Sequence, residues 1–344
     1  MTALTQVEAP ERAGRERGGG EGLAFADLIG TVPRETFFAE HWERRPLHIR
    51  RGDAGHYDSL LTRAALEKVI ASGGVRYPGI QLTRDGRYIP PDAFTQNIQF
   101  GRESLAGVPD LGRLAAHFRA GATISMPFLH LSWKPLADLA AAIEAEFDHP
   151  VNTNVYLTPG GCQGFTPHYD THEVFVLQIS GHKRWRVHAP PAPLPHFTQP
   201  FSAQDQLPTP LVLEVDMSPG DLLYLPRGFI HSTTTSRSSS LHVTMGVTVF
   251  TWVELLAEWF QTSKMHPRYR RALEPGFTRD PDVRQRLKQE LPKILAELQR
   301  QTDYDALVDA FARKVSSGAL RSVERFQTDV MVEPASPADA SRRR

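Results

Sequence analysis

The chain has 344 residues, with 39 basic against 39 acidic, 40% hydrophobic and 23% charged, enough apolar material for one large domain and a smaller one. A formal charge of zero excludes a chain held to nucleic acid or a membrane surface by bulk electrostatics. The single cysteine, Cys162, excludes an internal disulfide and any zinc site of several thiolates, which leaves His, Asp and Glu as metal donors.

Residues 1–22 carry charges and glycines without the apolar run of a secretory signal, and no stretch reaches the 18 apolar residues that span a bilayer. The chain is therefore expected to be cytoplasmic, with residues 1–22 and 331–344 as flexible polar tails. Next, FADLIG and ETFFAEHWERRPLHIR place Phe37, Phe38 and Trp42 at helical spacing, predicting a helix that feeds an edge strand at LHI. Residues 110–147 read as helix, a short ATISM strand and an alanine-rich helix ending near Asp148. Between Val151 and Phe250, short β-branched and aromatic runs broken by PGG, SGHK, SPGD and PRG predict an all-β barrel or sandwich. Helical spacing returns after Trp252. One helix starts at Asp280-Pro281 and carries Val283, Leu287, Leu291, Ile294, Leu295 and Leu298; another follows Asp303. The expected division is a β domain with N-terminal helices over residues 23–250 and a helical region over 251–330.

Chemistry concentrates in residues 152–188, where His168 and Asp170 stand two apart. On a strand, residues i and i+2 share a face, so imidazole and carboxylate would reach one point. In DLLYLPRGFIHST, the turn Ser218-Pro219-Gly220-Asp221 introduces a strand expected to end at His231. Two imidazoles and one carboxylate are what a 2-His-1-carboxylate facial triad needs, and its open positions suit non-haem Fe(II) oxygenase chemistry. Lys183 is expected on the partner strand of a hairpin through Ser180-Gly181. An ammonium facing into a barrel is costly unless it meets an anion, which a dicarboxylate would supply; the other reading is a solvated turn lysine. Should the anion lie elsewhere, Arg184 and Arg186 are the next candidates.

The blocks FFAEHWERRPLHI, FRAGATISM, NVYLTPGGCQGFTPHYDTHEVFVLQISGHKRWRV and LLYLPRGFIHSTTTSRSSSLHVT, in this order over roughly residues 25–260, resemble the bacterial JmjC-type, cupin-like ribosomal oxygenases. The resemblance implies a mainly β fold with flanking helices, a double-stranded β-helix (cupin/JmjC jelly roll) with a C-terminal helical region. It implies an Fe(II) enzyme that uses 2-oxoglutarate and O2 to hydroxylate an arginine or histidine of a ribosomal protein. Carried over by residue, the metal ligands fall on His168, Asp170 and His231, the 5-carboxylate partner on Lys183 and an asparagine near the cosubstrate on Asn154; no catalytic residue beyond the ligands is implied. Family members also dimerise through helices after the barrel. That agrees with a homodimer expected here from the apolar stripe between Val283 and Leu298. Many members add a winged-helix module, but the residues after Trp252 carry little strand signal.

Around this set, His172 is expected beside the metal without binding it, and His242 either faces the cosubstrate or is a core histidine. Trp185, Phe175 and Leu177 are expected in the barrel core, and Cys162 as a small half-buried residue. Arg227 is expected to brace the turn before His231 through hydrogen bonds to backbone. Competing functions are the same chemistry on a small-molecule metabolite and a non-catalytic cupin-fold interaction protein. Neither membrane contact nor direct nucleic-acid binding is expected.

Overall fold

Alternating side chains along short strands set the architecture of the chain, and a computed structural model describes the backbone of residues 6–8 and residues 22–202, 209–264 and 266–317. The chain divides into two compact units after Thr248. The first opens with β1 (Gln6–Glu8), α1 (Phe25–Ile29) and α2 (Arg34–Thr36), which runs into a π-helical turn over Phe37–His41. There follow β2 (Leu47–Arg50), α3 (Arg63–Ala71), β3 (Gln81–Arg84), β4 (Arg87–Tyr88), β5 (Thr95–Phe100), β6 (Glu103–Pro109), α4 (Leu111–Arg119), β7 (Thr123–Pro127), α5 (Lys134–Phe147) and β8 (Val151–Thr158). The unit closes with β9 (Glu173–Ser180), β10 (Lys183–His188), β11 (Leu211–Met217), β12 (Leu222–Leu225), β13 (Ile230–Thr235) and β14 (Ser240–Val247).

Nine strands form one sheet in the order β1-β2-β12-β9-β14-β8-β7-β3-β4, and a smaller sheet is ordered β11-β10-β13. Strands adjacent in space are mostly distant in sequence, the mark of the expected jelly roll. Period-two alternation makes the large sheet a wall between two cores. Along β9, Phe175, Leu177 and Ile179 enter the larger core, together with Leu136, Leu139 and Ile143 of α5. Val174 and Val176 face the other way, toward Trp185, Val187, Val215 and Met217 of the small sheet. With both faces covered, β9 reads as a nearly unbroken apolar run instead of a half-polar one. Phe175 and Leu177 thus lie on the helical side of the wall, not inside the barrel where the sequence placed them.

Two further expectations change. LHI is not an edge, because β2 pairs antiparallel with β12 on one side and parallel with β1 on the other. The N-terminal stretch therefore supplies a strand at Gln6–Glu8 where a flexible tail was expected, and the rest of residues 1–22, except Gly22, lies outside the described residues, as do residues 331–344. Sequence reading passed over β3 to β6. The Asp85-Gly86 pair was the available signal: both residues have positive φ, 51° and 75°, as a two-residue hairpin turn requires.

The second unit contains α6 (Trp252–Ser263), α7 (Pro281–Gln301) and α8 (Tyr304–Ser316), with no strand among its described residues. Asp280 and Asp303 cap α7 and α8 as the sequence indicated, accepting from the backbone N–H groups of Asp282 and Ala306. The stripe expected to be a free face is partly used inside the unit: Val283 and Leu298 are buried. Exposed apolar side chains belong instead to α6 (Trp252, Val253, Leu256 and Phe260) and to Leu291 and Leu295 of α7.

Candidate metal centre

Strand alternation aims a second set of side chains into the space between the two sheets. β8 sends Asn154, Tyr156 and Thr158 inward, β14 sends His242 and Thr244, and β10 sends Lys183 and Trp185. These groups line one pocket with Phe165, His168, Asp170, His172 and His231. Trp185 is therefore both core and pocket wall.

His168 and Asp170 do not sit on a regular strand. They belong to the irregular stretch between β8 and β9, where His168 makes one isolated bridge with His231. The two exchange backbone bonds, His168 N–H to the His231 carbonyl at 3.2 Å and His231 N–H to the His168 carbonyl at 2.8 Å. Gly228 N–H donates to the Asp170 carbonyl at 2.9 Å. His231 is the second residue of β13, beyond the 226–229 turn, and does not end the strand that follows Ser218–Asp221. Convergence thus comes from lacing two loops together instead of from one strand face.

Each imidazole is fixed by its own loop. Nδ1–H of His168 donates to the Thr166 carbonyl at 2.7 Å, and Nδ1–H of His231 donates to the Phe229 carbonyl at 3.1 Å. Both Nε2 lone pairs are left for a metal. Nε2 of His231 lies 3.6 Å from an Asp170 oxygen, and one donor atom from each of the three residues falls within 4.8 Å of the others. Burial, followed by the neighbouring His168, pushes His231 down to about 4, so it is neutral and able to ligate at physiological pH. Burial raises Asp170, but the imidazoles of His172, His231 and His168 outweigh it and hold the carboxyl below its ordinary value. Two neutral imidazoles and a carboxylate suit a divalent first-row metal with positions left open. His172 is not one of the three; its ring packs against Gly246, where an added Cβ would come within 2.6 Å.

Lys183 is buried to 4% exposure, and its Nζ donates to Thr158 Oγ1 at 3.4 Å. Thr158 Oγ1 also accepts from Thr123 Oγ1 at 3.1 Å. Among the described residues Lys183 makes no ion pair, and burial pushes its ammonium down to about 7. It does not face β9 across a hairpin, because β10 pairs with β11 and β13 in the opposite sheet. Arg184 and Arg186 point outward and are spent on Asp216 and Glu214. His242 is not a satisfied core histidine, since its buried Nδ1 has no hydrogen-bond partner among the described residues. It is 3% exposed, and it lines the pocket beside Lys183, stacked on Tyr156 at 5.0 Å. Burial, then the charge of Lys183, holds its pKa well below the ordinary value. Asn154 lines the pocket beside Tyr156 and Thr244. Tyr156 and Thr158 were missed in the sequence, although they share the face of Asn154 at two-residue spacing.

Arg227 does not act through backbone. Its guanidinium pairs with Glu173, which is fully buried, at 3.0 Å, and with Glu43 at 2.5 Å. Cys162 is half-buried, as expected, with its N–H donating to Thr235 Oγ1 at 2.9 Å.

A jelly roll with a His-Asp-His cluster between its sheets and a buried lysine beside it defines a cupin-type, metal-competent site. Residues 129–255 match the family model for the JmjC domain. Among curated proteins, the chain is 35% identical over 230 residues to ribosomal oxygenase 1 of Gallus gallus, covering 64% of this chain and 36% of that protein. It is 29% identical over 327 residues to the bifunctional lysine-specific demethylase and histidyl-hydroxylase NO66 of Aedes aegypti, covering 86% of this chain and 48% of that protein. The chain thus spans less than half the length of these relatives. In fold it is similar to the X-ray structure of Escherichia coli ycfD, with a TM-score of 0.50, 18% identity, and coverage of 79% of this chain and 69% of that one. The chain carries a JmjC domain over residues 129–255 and is similar to the ribosomal oxygenases over 64% of its length.

Proposed function

We propose that the chain is an Fe(II)- and 2-oxoglutarate-dependent dioxygenase that hydroxylates an arginine or histidine side chain of a ribosomal protein. The observation that carries this reading is the convergence of three ligand-competent groups, His168, Asp170 and His231, in a pocket that also buries an unpaired ammonium, Lys183. The relatives' names support the substrate class.

In this reading the three side chains hold Fe(II), and their one-sided disposition leaves positions for a chelating cosubstrate. With Fe(II) bound, O2 and 2-oxoglutarate supply the oxidising equivalents: one oxygen atom enters a substrate C–H bond as a hydroxyl, and the other ends in succinate, released with CO2. Lys183 holds the distal carboxylate of 2-oxoglutarate, whose charge satisfies the buried ammonium. Thr158 shares that contact, and Asn154 and His242 flank the cosubstrate, with His242 neutral so that it adds no second positive charge. Trp185 and Tyr156 supply aromatic wall to the same pocket.

The same proposal includes a homodimer formed through the exposed apolar side chains of the second unit, a cytoplasmic location and no direct nucleic-acid contact. Among the described residues, no helix is long and apolar enough to cross a membrane. The test is incubation of the purified chain with Fe(II), 2-oxoglutarate and extracted ribosomal proteins, followed by peptide mass spectrometry. One histidine or arginine is expected to gain the mass of one oxygen atom, in step with succinate formation. Succinate formation that no ribosomal protein stimulates would overturn the substrate class.

A further inference from the structure

Behind the metal ligands, on the side away from the pocket, lies a buried ionic network that the proposed reaction does not use. Glu173, the first residue of β9, is fully buried; one carboxylate oxygen accepts from Arg227 and the other from the Tyr224 hydroxyl. Arg227 is 5% exposed and also pairs with Glu43, whose backbone N–H donates to the Tyr224 hydroxyl at 3.0 Å. A buried ion pair is a poor source of net stability, because desolvation of the two charges offsets their attraction, and an apolar pair of similar volume is often as stable. Its value lies in fixing which segments meet.

The segments that meet here are the two arms of the metal site. Glu173 is three residues beyond Asp170, and Arg227 is four residues before His231. Between the pair and the ligands runs the Gly228 N–H bond to the Asp170 carbonyl, then the double backbone bond between His168 and His231. Gly228 has φ +89°, and a Cβ there would come within 2.7 Å of Pro195, so the turn has little freedom to reach this arrangement another way.

We propose that the Arg227–Glu173 pair is a positioning brace for the metal site, holding the Asp170 loop against the His231 turn so that their ligand atoms converge before metal arrives. This rests on the metal-site reading above. Without the brace, each loop keeps its own imidazole bond, but the two ligand sets are no longer held in register, and binding must order them first.

Titration with Co(II) in the absence of oxygen tests it, followed by the visible absorption of the bound ion and alongside thermal melting of the metal-free protein. Two variants are compared: Glu173→Gln, which keeps the shape, a bond to Tyr224 and the Arg227–Glu43 pair, and Arg227→Met combined with Glu173→Gln, which removes both buried charges and leaves Glu43, a third exposed, to solvent. Both are expected to melt cooperatively near the wild-type temperature and to bind Co(II) at least about tenfold more weakly, as loss of groups that orient metal ligands does. A wild-type dissociation constant in either folded variant overturns the brace. Weakened binding accompanied by loss of the cooperative transition in both variants also overturns it, assigning the pair to stability. Failure of the wild-type chain to bind Co(II) would instead overturn the metal-site reading, so the two failures are distinguishable.

Discussion

Single side chains in the pocket make distinct, separable contributions. His168, Asp170 and His231 are only partly packed or lie at the cavity wall, so His231→Ala is expected to abolish succinate formation while the melting temperature stays close to wild type. Wild-type turnover in a folded His231→Ala protein would remove His231 from the ligand set. Lys183→Ala should raise the Michaelis constant for 2-oxoglutarate by about 10- to 150-fold, the equivalent of about 1.5–3 kcal/mol for a bond to a charged group, with Co(II) affinity little changed. A pH effect follows from the same lysine. In the free protein its ammonium loses its proton near 7, whereas the bound dicarboxylate favours the charged form. Cosubstrate affinity should therefore be greatest below pH 7 and fall as pH rises above it, with proton uptake on binding, measurable by calorimetry in buffers of different ionisation enthalpy. The metal-free fold has the opposite trend from this group. The unfolded lysine keeps its proton up to about 10.5 while the folded one releases it near 7, so stability rises with pH between those values.

At the scale of elements, the site depends on turns that hand the chain from one sheet to the other. Gly181 joins β9 of the large sheet to β10 of the small one, with φ +66°, and a Cβ there would lie 2.0 Å from the Ser239 carbonyl oxygen. Gly181→Ala must therefore accept a left-handed backbone and also displace the strand start at Ser240. A loss of at least about 1–2 kcal/mol is expected from the backbone alone, read as a lower midpoint in chemical denaturation. Because Lys183 is two residues away, the same variant should also need more 2-oxoglutarate for half-maximal turnover. A variant with unchanged stability would show that the turn is free to rearrange. The Asp85-Gly86 hairpin, within the large sheet, ties onto the loop that carries His168, where Gly86 N–H donates to the Gly164 carbonyl at 3.0 Å.

For the whole molecule, α6 carries the most exposed apolar face of the second unit. Trp252 is 77% exposed, and Leu256 and Phe260 follow at one-turn intervals on the same side, a face that a second copy of the chain would bury. Light scattering at micromolar concentration should give twice the 38.5 kDa of the chain, and a mass of 38.5 kDa would contradict the dimer. Trp252→Glu combined with Phe260→Glu should convert the dimer to monomer, while added salt should not, since the contact would be apolar.

The sequence by itself determined the succession of elements and the identity of the candidate ligands. Local rules suffice for Asp280 and Asp303 as helix caps, for the alternating strands of the centre, and for His168, Asp170 and His231 as a donor set of two imidazoles and a carboxylate. Only the tertiary structure decided how those donors meet. Strand spacing was the wrong reason for His168 and Asp170 to converge, because their loop is shaped by bonds to residues some sixty positions away, and no local pattern encodes such pairings. For the same reason Lys183 was recognisable as a buried cation while its sheet was not, since hydrogen-bond partners across a jelly roll are chosen by closure of the whole barrel. Arg227 shows the limit most plainly: the turn it belongs to could be read from Pro226 and Gly228, but its partners Glu173 and Glu43 lie far earlier in the chain, on separate elements, and become neighbours only when the domain folds.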